Sequence, residues 1–114
     1  MVTVYGIKNC GSVKKALTFL TTHKIEYTFV DFKTTPVDSK KISEWCDKSD
    51  LSLLLNTKGT TYKNLDLKSL DLSNNDKIEW MTKENRLIKR PVIEYGSNVI
   101  IGFNQTQYEG LFLP

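Results

Sequence analysis

Cys10 is the side chain of this sequence best placed to do chemistry, because it sits where an opening strand hands over to a helix. Val2 to Tyr5 reads as a short strand of β-branched and aromatic residues, and Gly6 ends it. The loop Ile7-Lys8-Asn9-Cys10-Gly11-Ser12 follows. Val13, Ala16, Leu17 and Leu20 then fall at i, i+3, i+4 and i+7, one apolar face of a helix. A cysteine at a helix start meets unpaired backbone N–H groups, here those of Gly11, Ser12 and Val13. It also meets the positive end of the helix dipole. Lys8 and Lys14 add positive charge nearby. All three effects favour thiolate over thiol, and thiolate is the nucleophilic form.

Free cysteine is otherwise among the most buried residue types. The polar, turn-forming neighbours of Cys10 favour an exposed reactive loop over a core position. The second cysteine, Cys46, reads differently. It belongs to a helical stretch in which Ile42, Trp45 and Cys46 are three and four residues apart and share one face. That face is expected to pack inward, leaving Cys46 a core filler with a slow, unperturbed thiol.

The remaining elements must carry Cys10. The 114 residues suit one domain with a single core. Hydrophobic content of 39% and charged content of 25% exclude neither a core nor an ordinary soluble surface. The longest apolar runs, such as Leu53 to Leu55 and Val99 to Ile101, are far too short to cross a membrane. The N-terminal residues lack the basic region and long apolar stretch of a signal peptide. Two cysteines in such unlike settings do not form a secreted disulfide framework, so the expected compartment is the cytoplasm. A net charge of +3 from scattered lysines argues against direct nucleic-acid binding.

A second strand is expected over Ile25 to Phe32, giving a βαβ unit. Thr35 as N-cap with Pro36 at the first helical position predicts a helix to about Asp47. Leu51 to Ile88 reads as mostly helical, interrupted by the polar loop Asn56 to Thr61. Ser73-Asn74-Asn75 can cap a helix that carries Ile78, Trp80 and Met81 and ends near Asn85. Strands Val92 to Tyr95 and Val99 to Phe103 follow, joined by a three-residue hairpin loop Gly96-Ser97-Asn98. A short helix from Thr106 to Phe112 closes the order β-α-β, helical insertion, β-β-α. His23, at the end of the first helix, reads as a surface cap.

That order, with a cysteine in the first βα loop, resembles the thioredoxin/glutaredoxin plan. Four motifs narrow it: Tyr5-Gly6-Ile7-Lys8-Asn9-Cys10 with Val13-Lys14-Lys15-Ala16, Leu55 to Tyr62, Leu87-Ile88-Lys89-Arg90-Pro91, and Ile101-Gly102-Phe103. Together they resemble the ArsC-like family, which contains glutaredoxin-coupled arsenate reductases, Spx regulators and YffB-like proteins. The motifs are most similar to the YffB-like branch.

The resemblance implies an α/β, thioredoxin-like, glutaredoxin-type domain over residues 1–114. It would have a mixed four-stranded sheet and a helical insertion between strands 2 and 3, roughly residues 36–88. It implies a monothiol oxidoreductase acting on disulfides or oxyanions, with Cys10 as nucleophile and Arg90 holding an anion beside it through its planar fork of donors. Lys8, Asn9, Gly11, Ser12, Val13, Lys58 and Pro91 would complete the site, with Pro91 cis and facing the cysteine. The family's arsenate reductases place three arginines there. Lys58 stands at the first position, Arg90 keeps the second, and Ile101-Gly102-Phe103 supplies no third, so arsenate is expected to be a poor substrate unless the chain bends back and Arg86, four residues before Arg90, takes that place. No metal or bound cofactor is implied. Glutathione is the expected co-substrate, and a small thiol or glutaredoxin the expected partner. The alternative is an Spx-type regulator that binds RNA polymerase without turnover, although Val13 replaces the second cysteine of that group's Cys-x-x-Cys switch.

Overall fold

The computed structural model describes residues 2–113. Four strands, β1 (Val2–Gly6), β2 (Tyr27–Asp31), β3 (Val92–Tyr95) and β4 (Asn98–Ile101), form one mixed sheet in the order β2-β1-β3-β4. β1 and β2 are parallel, with Val2 opposite Tyr27. β1 and β3 are antiparallel, and so are β3 and β4. Helix α1 (Gly11–Thr22) crosses from β1 to β2. The insertion between β2 and β3 carries α2 (Ser39–Lys48), α3 (Leu51–Leu54), α4 (Thr60–Asn64) and α5 (Asn74–Lys83), with short 3-10 turns at Leu67–Ser69 and Asn85–Leu87. α6 (Gln105–Phe112) ends the chain. This is the expected thioredoxin-like α/β plan, and none of the described helices is long and apolar enough to cross a membrane.

Strand alternation sends successive side chains to opposite faces, and each face has its own core. On one, Val2, Val4, Ile93 and Ile100 pack with Ala16, Phe19 and Leu20 of α1 and Tyr108 of α6. On the other, Tyr5 and Val92 pack with Ile42 and Trp45 of α2, Leu54 of α3 and Met81 of α5. Phe19 takes the place in the core that periodicity gave to Leu17, which is only half-buried.

Several boundaries differ from expectation for identifiable reasons. α2 starts at Ser39, capped by Asp38, whose carboxylate accepts from the Lys41 N–H. The Thr35-Pro36 start fails because the Val37 N–H is taken by buried Asn85, 48 positions away. β2 begins at Tyr27, since the αL turn at Lys24 (φ 57°) keeps the preceding residues out of the ladder. The β3–β4 turn has two residues, with Tyr95 opposite Asn98 and Gly96 at φ 59°. β4 stops at Ile101 because Gly102 turns away at φ 81°. Asn104 then caps α6 by accepting from the Gln107 N–H, so that helix begins at Gln105 and not at Thr106. α5 ends at Lys83, two residues early, because Glu84 caps the following 3-10 turn.

One polar cluster ties the insertion to the sheet. Glu94 of β3 accepts hydrogen bonds from Tyr5 Oη (3.0 Å), Trp45 Nε1 (2.9 Å) and Lys41 Nζ (3.1 Å). The pattern uses both carboxylate oxygens and holds α2 over β1 and β3.

Candidate active site

Cys10 occupies the N-cap of α1 with extended backbone angles (φ −93°, ψ 127°). Its N–H donates to the Ile7 carbonyl at 3.2 Å, and its own carbonyl accepts from the Lys14 N–H at 3.0 Å. These two bonds fix the loop on both sides of the sulfur. Gly6 sets its depth: a Cβ there would lie 2.7 Å from Cγ2 of buried Val13, so the end of β1 presses directly on the first turn of α1.

The half-exposed thiol closes no side-chain capping hydrogen bond onto the helix. Burial pushes its pKa up. The Val13 N–H, the Arg90 guanidinium and the Ser12 N–H outweigh burial, and the net effect holds Cys10 below the ordinary thiol range. Cys46 is not the unperturbed thiol expected: burial and the charge of Asp47 push it up. It packs, half-buried, against the core on the insertion side, and both cysteines are free.

Arg90 reaches Cys10 across 80 positions of sequence because β3 pairs with β1. The Arg90–Pro91 peptide bond is cis, and Pro91 is buried. Arg90 Nη1 donates to the Arg86 carbonyl at 3.0 Å. Its Nε is buried and has no hydrogen-bond partner. A buried donor left without an acceptor costs about 1–3 kcal/mol, and such a group calls for an explanation. Here it leaves a desolvated, unpaired donor in the same guanidinium that acts on the Cys10 sulfur.

The other expected site residues separate into two groups. Gly11, Ser12 and Val13 form the first turn above the sulfur. Lys8 and Asn9 are exposed on the loop before it. Lys58 lies on an exposed turn where Gly59 accommodates the Asn56 side chain, since a Cβ at Gly59 would stand 2.7 Å from Asn56 Nδ2. That turn hangs from the segment leading to Arg90: Leu55 bridges Ile88, the Asn56 N–H donates to the Leu87 carbonyl, and the Lys89 N–H donates to the Leu54 carbonyl. Lys58 itself makes no ion pair among the described residues. Arg86 cannot replace a missing cation, because Glu84 holds its Nε and Nη2 at 2.9 and 2.8 Å.

The sequence offers Arg86 only as a replacement cation and gives Lys89 no role of its own. Arg86 serves through its carbonyl, as the anchor of Arg90, which no side-chain pattern announces. Lys89 lays its side chain over Gly102, where an added Cβ would meet its Cε at 3.2 Å. Gly102 in turn donates its N–H to the Pro91 carbonyl at 2.8 Å. The adjacent basic pair Lys89-Arg90 was the available signal.

A thioredoxin-like sheet with a half-exposed, thiolate-favouring cysteine at the start of α1 and an arginine before a cis-proline defines a class of thiol-bearing proteins. Within it, residues 5–111 match the ArsC family, and the chain belongs to that family. It is 35% identical to an uncharacterised protein of Haemophilus influenzae over 113 residues, 98% of this chain and 99% of that one. A solved YffB protein superposes with a TM-score of 0.91 at 36% identity, covering 96% of this chain and 97% of the other. The global transcriptional regulator Spx of Lactiplantibacillus plantarum is 27% identical over 116 residues, spanning all of this chain and 87% of the regulator.

Proposed function

We propose that this protein is a glutathione-dependent monothiol oxidoreductase of the reducing cytoplasm, with Cys10 as its nucleophile. The observation that carries the reading is the placement of the Cys10 sulfur against the first turn of α1 and the Arg90 guanidinium, which together favour its thiolate. The Cys10 thiolate attacks one sulfur of a glutathione mixed disulfide, RS–SG. The S–S bond breaks, RS⁻ leaves and takes a proton from solvent, and Cys10–S–SG forms. A second glutathione thiolate then attacks the Cys10 adduct, releasing glutathione disulfide and regenerating the Cys10 thiolate. With Val13 where a resolving cysteine would stand, the second thiol comes from outside the chain, either glutathione or glutaredoxin. Arg90 and the N–H groups of Gly11 to Val13 stabilise the negative sulfur, and Lys58 and Lys8 add charge around it. Intact mass after incubation with oxidised glutathione tests the reading. One glutathione adduct on the wild type and none on Cys10→Ser supports it, and an unmodified wild type contradicts it.

The Spx relatives support a second reading, a regulator that binds RNA polymerase without turnover. Under that reading the protein co-purifies with polymerase, and Cys10→Ser leaves the association intact.

A further inference from the structure

A groove of about 560 Å³ runs along α1, outside the Cys10 loop. Its floor is formed by Phe19 and Phe103, and its rim by Lys14, Lys15 and His23. The His23 ring packs on Phe19 at 4.5 Å, and Phe103 is held edge-on to buried Tyr108 at 4.9 Å. No acidic residue lines it. Two other clefts differ in this respect: the one behind Ile7 carries Glu84, and the one beside Ile25 carries Glu26.

One end of the groove lies near the Cys10 loop. It opens at Lys14, one helical turn past Cys10 and bonded to the Cys10 carbonyl. Phe103 of the floor is the neighbour of Gly102, whose N–H donates to the Pro91 carbonyl. From Lys14 to His23 the helix advances about 13 Å, several times the width of an inorganic oxyanion. The two lysines of the rim, the aromatic floor and the length fit one kind of occupant.

We propose that this groove holds the tail, remote from the sulfur, of an elongated, multiply negative thiol bearing an aromatic group, presented to Cys10 as its disulfide. The proposal rests on the thiol-exchange reading and names its substrate class. Cys10 thiolate attacks the near sulfur, the disulfide bond breaks, one thiolate leaves, and the bound half remains on Cys10 as a mixed disulfide with its anionic tail along α1.

Oxidised coenzyme A, a long polyanion with an aromatic base, is the probe, and 2-hydroxyethyl disulfide is the short neutral control. Rates of adduct formation at Cys10 are followed by intact mass in the wild type, Lys15→Glu and Lys15→Arg. Lys15→Glu is expected to slow the coenzyme A probe about fivefold, the size expected for reversing one partly screened charge contact. Lys15→Arg and the neutral probe are expected to be unchanged, and about 0.5 M salt to remove the difference. Equal slowing of both probes by Lys15→Glu, or no slowing of either, overturns the groove assignment while leaving thiol exchange intact. Failure of wild-type Cys10 to react with either disulfide overturns the thiol reading itself.

Discussion

Gly6 and Val13 meet at the point where β1 delivers the chain to the reactive loop: a Cβ on Gly6 would stand 2.7 Å from Val13 Cγ2. Because Val13 is fully buried and lies three residues past Cys10, it has no room to yield without moving the first turn of α1. Gly6→Ala is therefore expected to destabilise the fold by about 1–3 kcal/mol, the usual cost of overpacking. It should also slow Cys10 alkylation at neutral pH. Denaturant unfolding and iodoacetamide rates measured on the same variant check both effects. Wild-type stability and reactivity together would contradict the close fit.

Among the described residues, Arg90 is the one guanidinium acting on the Cys10 sulfur. Arg90→Met is expected to raise the Cys10 pKa and to lower its alkylation rate at pH 7 several-fold, since one pKa unit changes the thiolate fraction about tenfold well below the pKa. Arg86→Met should do much less, because that guanidinium is already held by Glu84. Equal effects of the two substitutions would contradict the assignment.

Glu94 joins three donors from β1 and α2. Burial raises its pKa, but the bonds from Trp45, Lys41 and Tyr5 outweigh burial, and the carboxyl is held below the ordinary range. A carboxyl depressed in the folded state contributes stability that is fully present above its unfolded pKa, about 4.3. That contribution is lost as the pH falls through the folded value. Glu94→Gln should therefore cost about 1.5–3 kcal/mol at pH 7, the range for hydrogen bonds to a charged group. The difference from wild type should shrink as the pH is lowered past 4, which chemical denaturation at pH 7 and pH 3.5 measures.

The strands and the first helix were legible because they obey local rules. Val2, Val4 and Tyr5 alternate between the two cores, and Val13, Ala16 and Leu20 keep a 3.6-residue period. What was misread was decided elsewhere in the chain. Thr35-Pro36 is a good helix start taken by itself, but Asn85 claims the neighbouring Val37 N–H. The hairpin register depends on the positive φ of Gly96 and on pairing with β1, neither of which is a matter of local pattern. Cys10 was legible from its position at a helix start. Arg90 was not, because its proximity to Cys10 exists only once β3 lies beside β1, and only family resemblance pointed to it. The burial of Arg90 Nε and its anchoring by the Arg86 carbonyl had no sequence signal.

Arsenate should be turned over poorly. Holding an oxyanion requires several charge-assisted donors to offset its desolvation. Arg90 supplies one fork, Lys58 offers a point charge on an exposed turn, and Glu84 occupies Arg86. Arsenate reduction with glutathione and glutaredoxin supplied is expected well below about 1 per second. Turnover at or above that rate would show that the anion site is more complete than these residues imply.

The central claim is that the fold favours the Cys10 thiolate more than an ordinary cysteine's. The direct measurement is the rate of iodoacetamide labelling at each cysteine against pH, resolved by peptide mass. The account predicts a Cys10 midpoint clearly below the value of about 8.5 for a free cysteine, with Cys46 titrating above Cys10 and labelling more slowly throughout. A Cys10 midpoint at or above 8.5, or Cys46 labelling first, would contradict it.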